Sequence, residues 1–77
     1  TMKKYKFITI DFIEGANFDG QPVYEILNNK SNDRLGILFY YKPWKCYTAE
    51  FKQGCIFNKE CLGNIIDFIE NHIKEIK

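Results

Sequence analysis

Three cysteines and one histidine are the most reactive side chains in this 77-residue sequence. Cys46, Cys55 and Cys61 lack the paired short spacing of a zinc site, so we expect no bound metal. Cys61 falls in the first turn of a predicted helix, where the backbone dipoles favour a thiolate. A nucleophile also needs a base, and His72 lies about 16 Å further along the same helix. We therefore expect Cys61 and His72 to be packing residues.

Four carboxylates in or beside predicted strands offer the other route to catalysis, namely Asp11, Glu14, Glu25 and Glu50. Converging carboxylates hold divalent metals in nucleases. The sequence has no D-x-D or H-x-H cluster, however, and its glycines form no phosphate-binding pattern. We expect these acids to be solvated or paired with lysine across strands. A small metal-dependent nuclease is therefore the least favoured alternative, and we expect neither enzymatic activity nor a cofactor.

Residues 35–51 form a predicted β-hairpin with aromatic side chains on both faces. In a strand, successive side chains point to opposite faces. One face of this hairpin would carry Leu38, Tyr40, Tyr47, Ala49 and Phe51, and the other would carry Ile37, Phe39, Tyr41 and Trp44. A chain this short can hardly bury both faces of a sheet by itself, so the second aromatic face predicts a binding partner.

The candidate binding residues of this hairpin are aromatic or basic, and they are Phe39, Tyr41, Lys42, Trp44, Lys45, Tyr47 and Lys52. Aromatic rings with interleaved lysines suit single-stranded nucleic acid, because bases stack on rings while lysines contact phosphates. Tryptophan and tyrosine are also enriched in protein interfaces, and simple core packing is a third alternative. The net charge of only +1 disfavours nucleic-acid binding by bulk charge, so we favour a protein interface.

Hydrophobic alternation predicts four strands, over about 4–13, 22–28, 35–42 and 44–52. The segment between the first two strands is predicted to be a loop, because it contains Gly15, Asn17, Asp19 and Gly20, all of which favour turns. Gly36 is predicted to mark a bulge or a close packing contact. The order of these strands is typical of an antiparallel sheet.

A C-terminal amphipathic helix is predicted over about 59–76, with Asn58 as its N-cap. A helical wheel places one apolar stripe on it, consisting of Leu62, Ile65, Ile66, Ile69, Ile73 and Ile76, with Cys61, Phe68 and His72 on its border. The fold class is therefore α+β: a single domain over 1–77, with a four-stranded antiparallel sheet followed by one helix. Such a helix covers one face of the sheet and leaves the other open, so we expect a homodimer.

The cellular location is predicted from what the sequence lacks. No apolar run approaches the roughly 20 residues of a membrane span, and the N-terminal residues lack the apolar core of a signal peptide. Three cysteines are an odd number, which is typical of free thiols in a reducing compartment. We expect a cytoplasmic protein that does not contact a membrane.

Two groups of residues resemble a known sequence pattern: Leu35, Gly36, Leu38, Tyr40, Tyr41, Trp44 and Tyr47, followed by Phe57, Cys61, Leu62, Ile65 and Phe68. On these residues, 35–69 resembles a family of small proteins of phages and mobile elements. The Arg-Gln pair that usually follows the tryptophan in that family is Lys45-Cys46 here. More loosely, four strands and a helix resemble the positive-cofactor-four type of single-stranded DNA-binding fold, which forms dimers. The resemblance implies a mobile-element origin and no particular activity.

These observations together predict a small non-enzymatic binding protein of phage type. We expect the hairpin Phe39–Tyr47 to bind a macromolecule, favouring a host or defence protein that is thereby inhibited. The alternative is a dimeric protein that binds single-stranded nucleic acid through the same residues.

Overall fold

A computed structural model describes residues 2–73, which form one antiparallel sheet with a helix packed on one of its faces. The strands follow one another in the sheet in the same order as in the chain. The elements are β1 (Met2–Lys4), β2 (Ile8–Phe18), β3 (Gln21–Asn28), β4 (Arg34–Tyr41), β5 (Cys46–Phe51) and α1 (Lys59–Asn71). The predicted α+β class is confirmed, whereas the predicted number of four strands is wrong because the described residues form five.

The additional strand comes from the predicted first strand, which is two strands joined by a turn. β1 pairs antiparallel with β2, and the backbone N–H of Tyr5 donates to the carbonyl of Ile8 at 2.8 Å. The side chain of Asn29 holds this turn by donating to the carbonyl of Tyr5 at 2.8 Å. Polar groups from a neighbouring loop therefore stabilise a reversal that no glycine or proline marks in the sequence.

The predicted loop between the first two strands is mostly strand. β2 continues to Phe18, and only Asp19 and Gly20 form the turn, both with positive φ (52° and 80°). A two-residue turn of this kind matches the twist of a β-hairpin. The pairing register shifts between Phe12 and Asn17, where Gly15 has a φ of 80°. This bulge changes the face to which the following residues of β2 point.

The hairpin of β4 and β5 has the pairing that its alternation predicts. Leu38 lies opposite Ala49 and Tyr40 lies opposite Tyr47, all on the face that packs against α1. A single 3₁₀ turn, Lys42–Trp44, joins the two strands, and Pro43 lies at its N-terminal end. We call the side of the sheet that α1 covers the helix face and the other side the open face.

The helix begins at the predicted N-cap, because the Asn58 side chain accepts a 2.8 Å hydrogen bond from the backbone N–H of Cys61. It ends at Asn71, before the predicted end, and Ile76 lies outside the described residues. The buried core consists of Ile8, Ile10, Tyr24, Ile26, Leu38, Tyr47, Cys61, Ile65 and Phe68.

The predicted apolar stripe of the helix is only partly buried. Cys61, Ile65 and Phe68 face the sheet, whereas Leu62 and Ile66 of the predicted stripe are 46% and 56% exposed. The helix is therefore rotated toward the predicted border of the stripe, because Cys61 and Phe68 are buried while Ile65, Ile69 and Ile73 of the stripe still pack on the core. Among residues 2–73, no helix has the length and hydrophobicity needed to span a membrane.

Candidate binding surface

Four aromatic rings form a continuous chain on the open face of the sheet. Phe18 contacts Phe39 with ring centroids 5.2 Å apart, Phe39 lies 6.4 Å from Tyr41, and Tyr41 lies 5.2 Å from Trp44. All three contacts are edge-to-face, the favoured geometry for aromatic pairs. With the neighbouring Ile37, these residues are called the aromatic surface below. Trp44 is 71% exposed, so the chain of rings ends in solvent.

Local backbone geometry places the two ends of this chain of rings. The register shift around Gly15 puts Phe18 opposite Gln21, on the open face, where it reaches Phe39. At the other end, Pro43 fixes the start of the 3₁₀ turn, and Lys45 closes it in a left-handed conformation (φ 54°). The indole of Trp44 is thereby directed back onto Tyr41.

A shallow groove of about 380 Å³ follows the aromatic surface, with mostly apolar walls and one charged residue. It is lined by Asn17, Phe18, Val23, Ile37, Phe39, Tyr41 and Glu50. The charged residue is Glu50, which lies opposite Ile37 in the β4–β5 pairing. Apolar walls with a single carboxylate suit a protein surface better than a phosphate backbone, which needs cations.

Carboxylates extend across the open face in one row of the sheet. Asp11 lies opposite Glu25, Glu25 opposite Ile37, and Ile37 opposite Glu50. Arg34 compensates one of these charges, because its guanidinium lies 2.8 Å from Glu25 Oε1. Arg34 and Lys52 line a second groove together with Ile37 and Glu50, so the charges beside the aromatic surface are mixed rather than basic.

The structure brings together five of the seven candidate binding residues. Phe39 and Tyr41 lie in the groove, and Trp44 lies in the turn with Lys42 and Lys45 on either side of it in sequence, both exposed. The hairpin turn therefore places two exposed lysines beside an exposed aromatic ring.

Tyr47 and Lys52 lie elsewhere. Tyr47 is on the helix face, where it is buried and its hydroxyl donates a 2.8 Å hydrogen bond to the carbonyl of Pro22. Lys52 follows the far end of β5, about 20 Å from the turn at roughly 3.3 Å per strand residue. Neither residue is therefore positioned to contact a ligand that is bound at Trp44.

The remaining reactive residues, Cys61 and His72, lie near opposite ends of α1. Among residues 2–73, no group of three or more His, Cys, Asp or Glu side chains is placed to hold a metal ion. Cys61 is buried in the core, and His72 ends the helix with its ring against Phe68, 5.6 Å away. These positions agree with the packing roles expected for both residues.

Phe18 is the site residue that the sequence interpretation missed. The Asp-Gly pair at 19–20 is the strongest short-range signal for a two-residue hairpin turn, and it would have extended the strand to Phe18. Comparisons with known proteins add no further assignment, because no family model, curated protein or solved structure matches the chain. The resemblance to proteins of phages and mobile elements therefore stays a prediction.

Proposed function

We propose that this chain is a small non-enzymatic binding protein that holds a protein partner against its aromatic surface. One observation carries the proposal: four aromatic rings in mutual contact lie on the open face and end in the exposed indole of Trp44. Exposed tryptophan and tyrosine side chains are the most frequent energetic centres of protein interfaces. The mobile-element origin implied by residues 35–69 favours a host or defence protein as the partner, which binding would inhibit.

The charges of the open face indicate the chemistry of this partner. Asp11, Glu25 and Glu50 share the row beside the aromatic surface, whereas Lys42 and Lys45 lie at the hairpin turn. A complementary surface would present apolar or aromatic groups to Phe39 and Tyr41, a cation to Glu50, and an acidic rim to the turn. Nucleic acid would meet the carboxylate of Glu50 in the groove itself, which disfavours a phosphate backbone there.

The experiment is affinity capture from a host lysate, followed by direct binding with the purified partner. Trp44→Ala and Phe39→Ala should each weaken binding by about 2 kcal/mol, or roughly 30-fold. Glu60→Ala is the matched control, because it changes an exposed residue of α1 on the other side of the sheet and should leave binding unchanged. Equal affinities for all three variants and the unmodified chain would overturn the proposal.

A parallel titration tests nucleic acid with the same protein. Trp44 is the sole tryptophan, so its fluorescence reports on the aromatic surface directly. We expect little quenching by single-stranded oligonucleotide at either low or high salt. Strong quenching that weakens as salt rises would instead establish single-stranded nucleic acid as the ligand.

A further inference from the structure

The helix α1 carries a second set of apolar side chains beside the seam that packs on the sheet, and only its Ile69 and Ile73 members pack against the core. Leu62, Ile66 and Ile69 recur at intervals of four and three residues, so they lie along one flank of the helix, and Ile73 continues this spacing just after the helix ends at Asn71. The seam that packs on the sheet is offset from it by one residue, at Cys61, Ile65 and Phe68. Leu62 and Ile66 are about half exposed, and Ile69 and Ile73 are half buried. We call the outer set the second seam.

We propose that the second seam pairs with the same seam of a second copy of this chain, with the two helices antiparallel. Intervals of three and four residues are those by which two helices interlock their side chains. A twofold axis near Ile66 would place Leu62 of one helix against Ile69 of the other, so that each exposed side chain meets an apolar one. The same surface is used on both copies, as a closed dimer requires.

The charges beside the second seam determine the direction of the pairing. Lys59 lies three residues before Leu62, and Glu70 lies four residues after Ile66, so both border the seam at opposite ends of the helix. Antiparallel helices bring each Lys59 near Glu70 of the second copy. Parallel helices would place these residues of the two copies on opposite sides of the seam, so that Lys59 and Glu70 could not pair between copies. Within residues 2–73, neither side chain is engaged in an ion pair.

The opposite flank of the helix is occupied within the same copy. Asp67 accepts a 2.7 Å hydrogen bond from the Tyr5 hydroxyl, and Asn71 donates to Asp67 at 2.9 Å. The second seam is therefore the flank of α1 that is available to another molecule. It lies across the sheet from the aromatic surface, so the dimer and the proposed protein partner can be bound together. The inference does not depend on the proposed function.

Analytical ultracentrifugation over a wide concentration range tests the dimer. Two half-exposed apolar side chains per copy, with the half-buried Ile69 and Ile73 beside them, make a small interface, so we expect a dimer that dissociates on dilution. Ile66→Glu should weaken it at least tenfold, because two carboxylates would meet near the axis. Asn71→Glu adds the same charge on the opposite flank and should leave the dimer unchanged. A monomer at all attainable concentrations, or equal weakening by both variants, would refute the pairing.

Charge exchange tests the antiparallel direction. Lys59→Glu and Glu70→Lys should each weaken the dimer by at least about fivefold, since two symmetry-related ion pairs are lost. Both changes improve the match to the helix dipole, so neither should destabilise the fold. The double variant Lys59→Glu/Glu70→Lys should recover the affinity of the unmodified chain. Failure of the double variant to recover would exclude the antiparallel arrangement.

Discussion

The hydroxyl of Tyr5 donates a 2.7 Å hydrogen bond to Asp67 Oδ2, joining the turn after β1 to the third turn of α1. This bond, followed by the one from Asn71, lowers the pKa of Asp67 from its ordinary value of 3.8. Burial of the ring, followed by the bond to Asp67, raises the pKa of Tyr5 above its ordinary value of 10.0. The pair therefore prefers a neutral tyrosine beside an ionised carboxylate.

The pH dependence of the free energy of unfolding follows from the lowered pKa of Asp67 and the raised pKa of Tyr5. The pKa of Asp67 is lower in the folded protein than in the unfolded chain. The ionised carboxylate therefore stabilises the fold fully above the ordinary pKa, and this contribution is lost as the pH falls below about 4. The folded pKa of Tyr5 is raised, so its stabilisation is complete below about pH 10 and is lost as the pH rises further. Tyr5→Phe should lower the melting temperature by a few degrees at neutral pH.

Thermal unfolding followed by circular dichroism checks this dependence. The difference in melting temperature between Tyr5→Phe and the unmodified chain should shrink at both the acidic and the alkaline end. Other carboxylates titrate in the acidic range in both proteins, so the difference isolates the Tyr5–Asp67 pair. If the difference in melting temperature stays constant with pH, the strength of the Tyr5–Asp67 hydrogen bond does not depend on the protonation of either group.

The bulge at Gly15 is expected to be sensitive to substitution because its backbone lies in the left-handed region. Gly15→Ala should reduce the free energy of unfolding by roughly 1–2 kcal/mol, the cost of that conformation for a residue with a Cβ. Gly15→Asn should cost less, since asparagine adopts the region more readily. Gly63→Ala is a control in the exposed helix, where no atom lies within 4 Å of the added methyl group, and should raise stability by about 0.5–1 kcal/mol. Urea denaturation measures all three, and equal losses for alanine and asparagine at position 15 would contradict the conformational argument.

Close approach of β4 and β5 depends on the missing side chain at Gly36. A Cβ at this position would lie 2.5 Å from the carbonyl oxygen of Glu50 and 3.2 Å from the Cα of Phe51. Gly36→Ala should therefore push β5 away and destabilise the fold by about 1–3 kcal/mol. Hydrogen exchange should show faster exchange at Lys52, whose backbone N–H donates to Leu35 at 2.8 Å. Unchanged exchange at Lys52 would mean that the strands absorb the methyl group without separating.

The three free cysteines should differ in their reaction with a soluble thiol reagent. Cys46 is exposed, the Cys55 thiol donates to the carbonyl of Leu35 at 3.4 Å, and Cys61 is buried. We expect Cys46 to react first, Cys55 more slowly, and Cys61 only as fast as the protein unfolds. Mass spectrometry of partly labelled protein gives the order. Labelling of Cys61 before Cys46 would contradict the packing of α1 on the sheet.

Local signals in the sequence were sufficient for the parts of the fold that depend on neighbouring residues. The pairing of β4 with β5 follows from alternation and a short turn, and the start of α1 follows from the Asn58 cap. The close contact expected at Gly36 is likewise present. In each case the determining interaction spans only a few positions or a single hairpin.

Features set by distant contacts could not be derived in this way. The helical wheel cannot show which seam meets the sheet, because the two seams are similarly apolar. Cys61 has Leu62 as its counterpart in the other seam, and Ile65 has Ile66. The choice is fixed by the Tyr5–Asp67 bond and by the way in which Phe68 packs on Tyr24, 5.1 Å away. The position of Phe18 depends on a register shift, which reverses the face of every later residue in the strand.

The sequential order of the strands has a consequence for how the protein is made. Each strand pairs with the one synthesised just before it, so the sheet can grow hairpin by hairpin as the chain leaves the ribosome. The helix that covers Ile10, Ile26 and Leu38 is formed by residues 59–71, which emerge after all five strands. Until then the nascent sheet exposes two hydrophobic faces instead of one. This interval of synthesis is when we expect the chain to depend most on a chaperone.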